Sequence, residues 1–108
     1  MSDTWICHLI DFLDERGGIA PQSGPARRLA EHFGAIVAAV SKLPSQTAKL
    51  TSVPCRRRPG RRPCPGRIQA VIAEESSIRW QCPACGDNGL ISSWQDTLWD
   101  SRAVGLLQ

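Results

Sequence analysis

Nothing in this 108-residue chain resembles a membrane span. No stretch reaches the roughly 18 apolar residues that a spanning helix needs. The chain begins Met1-Ser2-Asp3-Thr4-Trp5, without the basic segment and apolar run of a secretory signal. A cytoplasmic protein is therefore expected, in a compartment that keeps thiols reduced. Histidine is scarce: His8 and His32 are the two, and neither lies near the cysteine motif described below. No serine–histidine–acid set, paired-carboxylate site or phosphate loop stands out. Asp11, Asp14 and Glu15 fit the wet side of a helix. The expectation is a non-enzyme with no small-molecule substrate. Acid is also missing from residues 53–67, which hold Arg56, Arg57, Arg58, Arg61, Arg62 and Arg67. The formal net charge of +3 hides that local basic block, which says more about partners than the total does.

Five cysteines are present. An odd count in a reduced compartment argues against a disulfide framework and for a metal. Cys7 lies in an apolar stretch and fits a buried small hydrophobe. Cys82-Pro83-Ala84-Cys85-Gly86 is the strongest motif. A C-x-x-C turn brings two sulfurs together at tetrahedral angles, and a glycine after the second allows a tight turn. Cys55 and Cys64 are the nearest cysteines to complete the set. The loop between them carries Pro59, Gly60 and Pro63 and can fold back. Cys55, Cys64, Cys82 and Cys85 are thus the expected ligands of one structural Zn2+ per chain. Two other readings stay open: a histidine in place of Cys55, or a Cys82–Cys85 pair that is redox-active or simply buried.

The N-terminal residues suggest two helices. Trp5, Ile6, Leu9, Ile10, Phe12 and Leu13 recur at helical spacing and Gly17-Gly18 ends the run. Pro25 suits the start of a second helix, along which Leu29, Phe33, Ile36, Val37, Val40 and Leu43 make an apolar stripe that Pro44 closes. The second helix also has a helix-turn-helix pattern, with Ala30 and Gly34 at the small-residue positions. A recognition helix offering Ile36, Val37, Ala38 and Ala39 has little to present to base edges, so a packing helix is favoured. Residues 45–53 fit a linker. Beyond it, residues 67–74, 77–82 and 90–94 alternate as strands, with a turn at 74–77 and an Asn-Gly turn signal at Asn88-Gly89.

Residues 53–94 resemble a zinc ribbon in their cysteine pairs, alternating segments and C-P-x-C-G turn. The run 79–89, followed by Ile91, Trp94, Thr97, Trp99 and Asp100, is also similar to a group of small uncharacterised bacterial proteins. The zinc-ribbon likeness implies structural zinc, no catalysis and no particular partner.

The expected fold class is α+β: an N-terminal two-helix segment followed by a small antiparallel β zinc-ribbon-like module. Residues 1–44 would form a helical hairpin, 45–53 a linker, and 54–108 the β module with its tail. Function divides two ways. Arg56, Arg57, Arg58, Arg61 and Arg62 could grip nucleic-acid phosphates, or they could offset the charge of −2 that four thiolates leave on a zinc ion. Trp80 and Trp94 suit a small core, although exposed aromatics beside a basic loop could stack on bases. The alternative function is a protein–protein adaptor or homodimer using the N-terminal helices.

Overall fold

A computed structural model describes residues 4–102. One sheet organises them. Strand β1 (Thr4–His8) is followed by a short 3-10 turn (Leu9–Phe12), helix α1 (Gly24–Val40) and β2 (Lys49–Pro54). Strands β3 (Arg67–Ile72), β4 (Ile78–Gln81) and β5 (Asn88–Ser92) complete it, with a second 3-10 turn at Pro59–Arg61. The order across the five-stranded sheet is β1-β5-β4-β3-β2. Strands β2 to β5 form an antiparallel meander, and β1 joins β5 in parallel.

This corrects the expected two-helix N-terminal segment: one helix and a mixed sheet stand in its place. The first apolar run is a strand and a turn. Thr4, Trp5, Ile6 and Cys7 are β-branched, aromatic or small residues that suit a pleated surface, and β5 offers an open edge. Only Cys7 of β1 is buried, while Trp5 and Ile6 are exposed. The run therefore does not form the buried helical stripe that its spacing suggests. Residues 49–54, which overlap the second half of the expected linker, also form a strand. Thr51 and Val53 point inward from β2. The turn expected at Asn88-Gly89 falls earlier, at Cys82–Gly86, where the Gly86 N–H donates to the Cys82 carbonyl at 2.8 Å.

Helix α1 matches its stripe. Phe33, Ile36, Val37 and Val40 are buried against Val53, Ile68, Ala70, Ile72, Ile78, Trp80 and Ile91 from the sheet. Each fully buried aliphatic there contributes about 1.5–3 kcal/mol. The helix runs unbroken through Gly34, so there is no helix-turn-helix. Its apolar face is spent on the sheet, which leaves no helical pair to present to a partner. No helix among the described residues is long and apolar enough to cross a membrane.

Residues 93–102 fold back under the helix. The buried Trp94 indole donates to the Ser76 carbonyl at 2.7 Å, and the Arg102 guanidinium lies over its ring at 4.8 Å. Asp100 is buried and pairs with Arg102 at 2.7 Å. The Ser41 hydroxyl accepts from the Ser101 N–H at 2.9 Å, tying this segment to the C-terminal end of α1. The rest of the expected tail, 103–108, lies outside the described residues.

Candidate metal centre

Strand β2 ends at Pro54, β3 begins at Arg67, β4 ends at Gln81 and β5 begins at Asn88. The loops 55–66 and 82–87 therefore emerge at the same end of the sheet, as adjacent hairpin ends. That places Cys55 just after β2, Cys64 just before β3, and Cys82 and Cys85 in the turn after β4. Their four sulfurs lie within 4.8 Å of one another. Cys55 Sγ is 3.6 Å from Cys85 Sγ, and Cys64 Sγ is 3.6 Å from Cys82 Sγ. Tetrahedral bonds of about 2.3 Å to one ion set sulfurs about 3.8 Å apart. The cluster could hold a metal ion.

The backbone is arranged around the sulfurs. The Arg57 N–H donates to Cys55 Sγ at 3.4 Å and the Gly66 N–H to Cys64 Sγ at 3.4 Å. The N–H groups of Ala84 and Cys85 donate to the Cys82 sulfur. Gly66 permits the close approach: a Cβ there would strike Cys82 Sγ and come within 2.9 Å of the Ala84 Cβ. Gly86 has φ +83°, a conformation that suits glycine at the end of the turn. Two cross-loop bonds hold the wide first pair: the Cys55 N–H donates to the Gly66 carbonyl at 3.0 Å, and the Cys64 N–H to the Arg57 carbonyl at 2.9 Å. Eight intervening residues thus close as tightly as a short knuckle would.

Burial pushes the Cys55 thiol up to about 12, against the opposing Arg57 N–H. Burial raises the Cys82 thiol too, but the N–H groups of Cys85 and Ala84 and the neighbouring sulfurs outweigh it and hold that thiol below its ordinary value. A divalent cation bound here would supply the charge that keeps all four as thiolates.

Neither histidine joins the cluster among the described residues. His8 contacts the Ser92 hydroxyl at 2.6 Å, and His32 lies 5.6 Å from the Phe33 ring, centroid to centroid. Cys7 is outside the cluster, buried in the apolar core, where burial and then Asp11 push its thiol up to about 11. All five cysteines are free thiols.

The arginine loop flanks the cluster. Arg56, Arg57, Arg58, Arg61 and Arg62 are all exposed. Arg57 pairs with Asp87 at 3.1 Å; among the described residues no other arginine of this loop pairs with an acid. The Arg58 guanidinium donates to the Arg61 carbonyl at 3.1 Å and bends the loop. Two groups beside the site escaped sequence reasoning. Asp87 lies 30 positions from Arg57, and no local pattern announces that pairing. Trp5 has the spacing of a helical stripe but stands 44% exposed on β1.

No family model matches this chain, and neither the curated proteins nor the solved structures yield a match.

Proposed function

We propose that the protein is a non-catalytic, zinc-ribbon-like module that binds one structural zinc ion and contacts nucleic acid through its arginine loop. The observation that carries the zinc is the set of four sulfurs within 4.8 Å, at the ends of two hairpins. Four thiolates leave no open coordination position, whereas a catalytic zinc keeps one and uses histidine or carboxylate ligands. Free thiols throughout suit the reducing cytoplasm. For nucleic acid the support is the exposed loop 56–62. Its arginines are mostly unpaired with acids, and arginine binds phosphate through two parallel hydrogen bonds. Arg57 also sits beside the site, where its charge favours thiolate.

Mass spectrometry of the native protein should find one zinc per chain, and Cys82→Ser should lose it. A folded, metal-free native protein overturns the zinc assignment. Gel shifts across about 50 to 200 mM salt should show binding that fades steeply. Replacing Arg57, Arg58 and Arg61 together with glutamine should leave zinc in place at neutral pH, release it at a higher pH than the parent on acidification, and flatten the salt slope by about three. No binding at low salt by the parent protein overturns the nucleic-acid assignment and leaves the zinc assignment standing.

A further inference from the structure

A cleft of about 120 Å³ opens between α1, β1 and the arginine loop, separate from the sulfur cluster. Its walls are aromatic: Trp5, His32, Phe33 and Trp80. These rings contact one another, with centroids 6.4 Å apart for Trp5 and Phe33, 5.9 Å for Phe33 and Trp80, and 6.3 Å for His32 and Trp80. The walls are therefore held by mutual packing and do not depend on a ligand for their form. Arg56 and Arg57 also line the cleft. The cleft is smaller than an apolar cavity of about 150 Å³ that takes one benzene ring, so a larger ring would lie across its open mouth against Trp5 instead of being enclosed.

We infer that this cleft receives a single unpaired base from a nucleic-acid strand, stacked on Trp5, with Arg56 and Arg57 on the adjoining phosphate. The inference rests on the nucleic-acid reading above and specifies its form. Aromatic walls by themselves also suit an alkylated ammonium group. The charges here decide against that. Two guanidinium groups line the cleft, and its one acid, Asp87, is already paired with Arg57 at 3.1 Å. A flat ring carried by a phosphate matches both features, since stacking tolerates every base and arginine grips the backbone. His32 supports this: burial, and then the Arg56 charge, push its pKa down to about 4, so it presents a neutral ring at neutral pH. Trp5 is the wall residue with the most free surface, at 44% exposure.

The test is fluorescence anisotropy with a labelled oligothymidylate, the same strand with abasic sites, and a duplex of equal length. Trp5→Ala should weaken single-strand binding by roughly five- to 150-fold, the range for losing one stacked base. Duplex affinity and zinc content should be unchanged. The abasic strand should bind the parent protein as weakly as the intact strand binds Trp5→Ala. Trp5→Phe keeps a flat ring and should restore most of the affinity, which separates stacking from damage to β1. Unchanged single-strand affinity in Trp5→Ala, or equal losses on strand and duplex, overturns the cleft while leaving the arginine loop's role intact. Displacement of the strand by thymidine monophosphate at comparable concentration overturns the assignment to a strand and gives the cleft to a free nucleotide. Failure of the parent to bind either strand or duplex overturns the nucleic-acid reading together with the cleft.

Discussion

Gly34 sits in the middle of α1, where alanine would ordinarily favour the helix by about 1 kcal/mol. Here the space a Cβ would need is taken by the Trp99 indole. Overpacking of this kind costs about 1–3 kcal/mol. Gly34→Ala should therefore lower stability, against the helix preference, as measured by urea unfolding. A more stable variant would show that Trp99 moves aside freely. The same logic of close approach governs Gly66, whose missing Cβ makes room for the Cys82 sulfur. In both places a residue that looks like a helix weakener or a loop filler is required by a side chain distant in sequence.

At the scale of elements, the two ends of α1 differ in how they are held. Ser23 occupies the N-cap position but makes no side-chain capping bond; Pro25 near the start already removes one donor that would need a partner. Ser23→Ala should cost under about 0.5 kcal/mol, below the roughly 1 kcal/mol usual for a serine cap. Ser41, just past the other end, is buried and takes the Ser101 N–H at 2.9 Å. Ser41→Ala leaves that donor unmatched and should cost about 1–3 kcal/mol. Chemical denaturation of the two variants gives the ranking, and a larger loss in Ser23→Ala would contradict it. Strand β1 shows the opposite dependence. It has no hairpin to bring it to the sheet and depends on the open edge of β5, with Thr4 Oγ1 bonded to the Asn88 side chain at 2.8 Å.

Over the whole molecule, metal and protons should act against each other. Burial pushes the thiols of Cys7 and Cys55 up to about 11 and about 12. A thiol raised in the folded state stabilises the fold fully below its unfolded value and loses that contribution as pH rises through the folded value. Without metal, both thiols should make the protein less stable on the alkaline side, above about pH 8.5. With zinc bound, Cys55 must be a thiolate, and protons compete with the ion for the sulfurs. Its contribution then fades on acidification instead. The gap in melting temperature between zinc-loaded and chelator-treated protein should widen as pH rises. Parallel curves would show that zinc is not held by these thiolates.

The residues that carry the proposed zinc site were legible because their chemistry is local. Cys82-Pro83-Ala84-Cys85-Gly86 forms its turn from its own backbone, and the shortage of nearby histidine left Cys55 and Cys64 to complete the set. The strands at 67–72 and 78–81 followed from alternation, and α1 from an apolar stripe bounded by prolines; the last strand was expected at 90–94 and runs 88–92, through the Asn-Gly pair read as a turn. The first apolar run could not be decided in this way. Over so few residues, helical and strand spacings overlap, and the choice fell to the free edge of β5, more than 80 positions away in sequence. Strand β2 was hidden for a similar reason: two inward residues, Thr51 and Val53, make too short a pattern until β3 pairs with it. The aromatic cleft is wholly a product of assembly. Trp5, Phe33, Trp80 and Arg56 come from four separate segments, and only closure of the helix over the sheet brings them to one place.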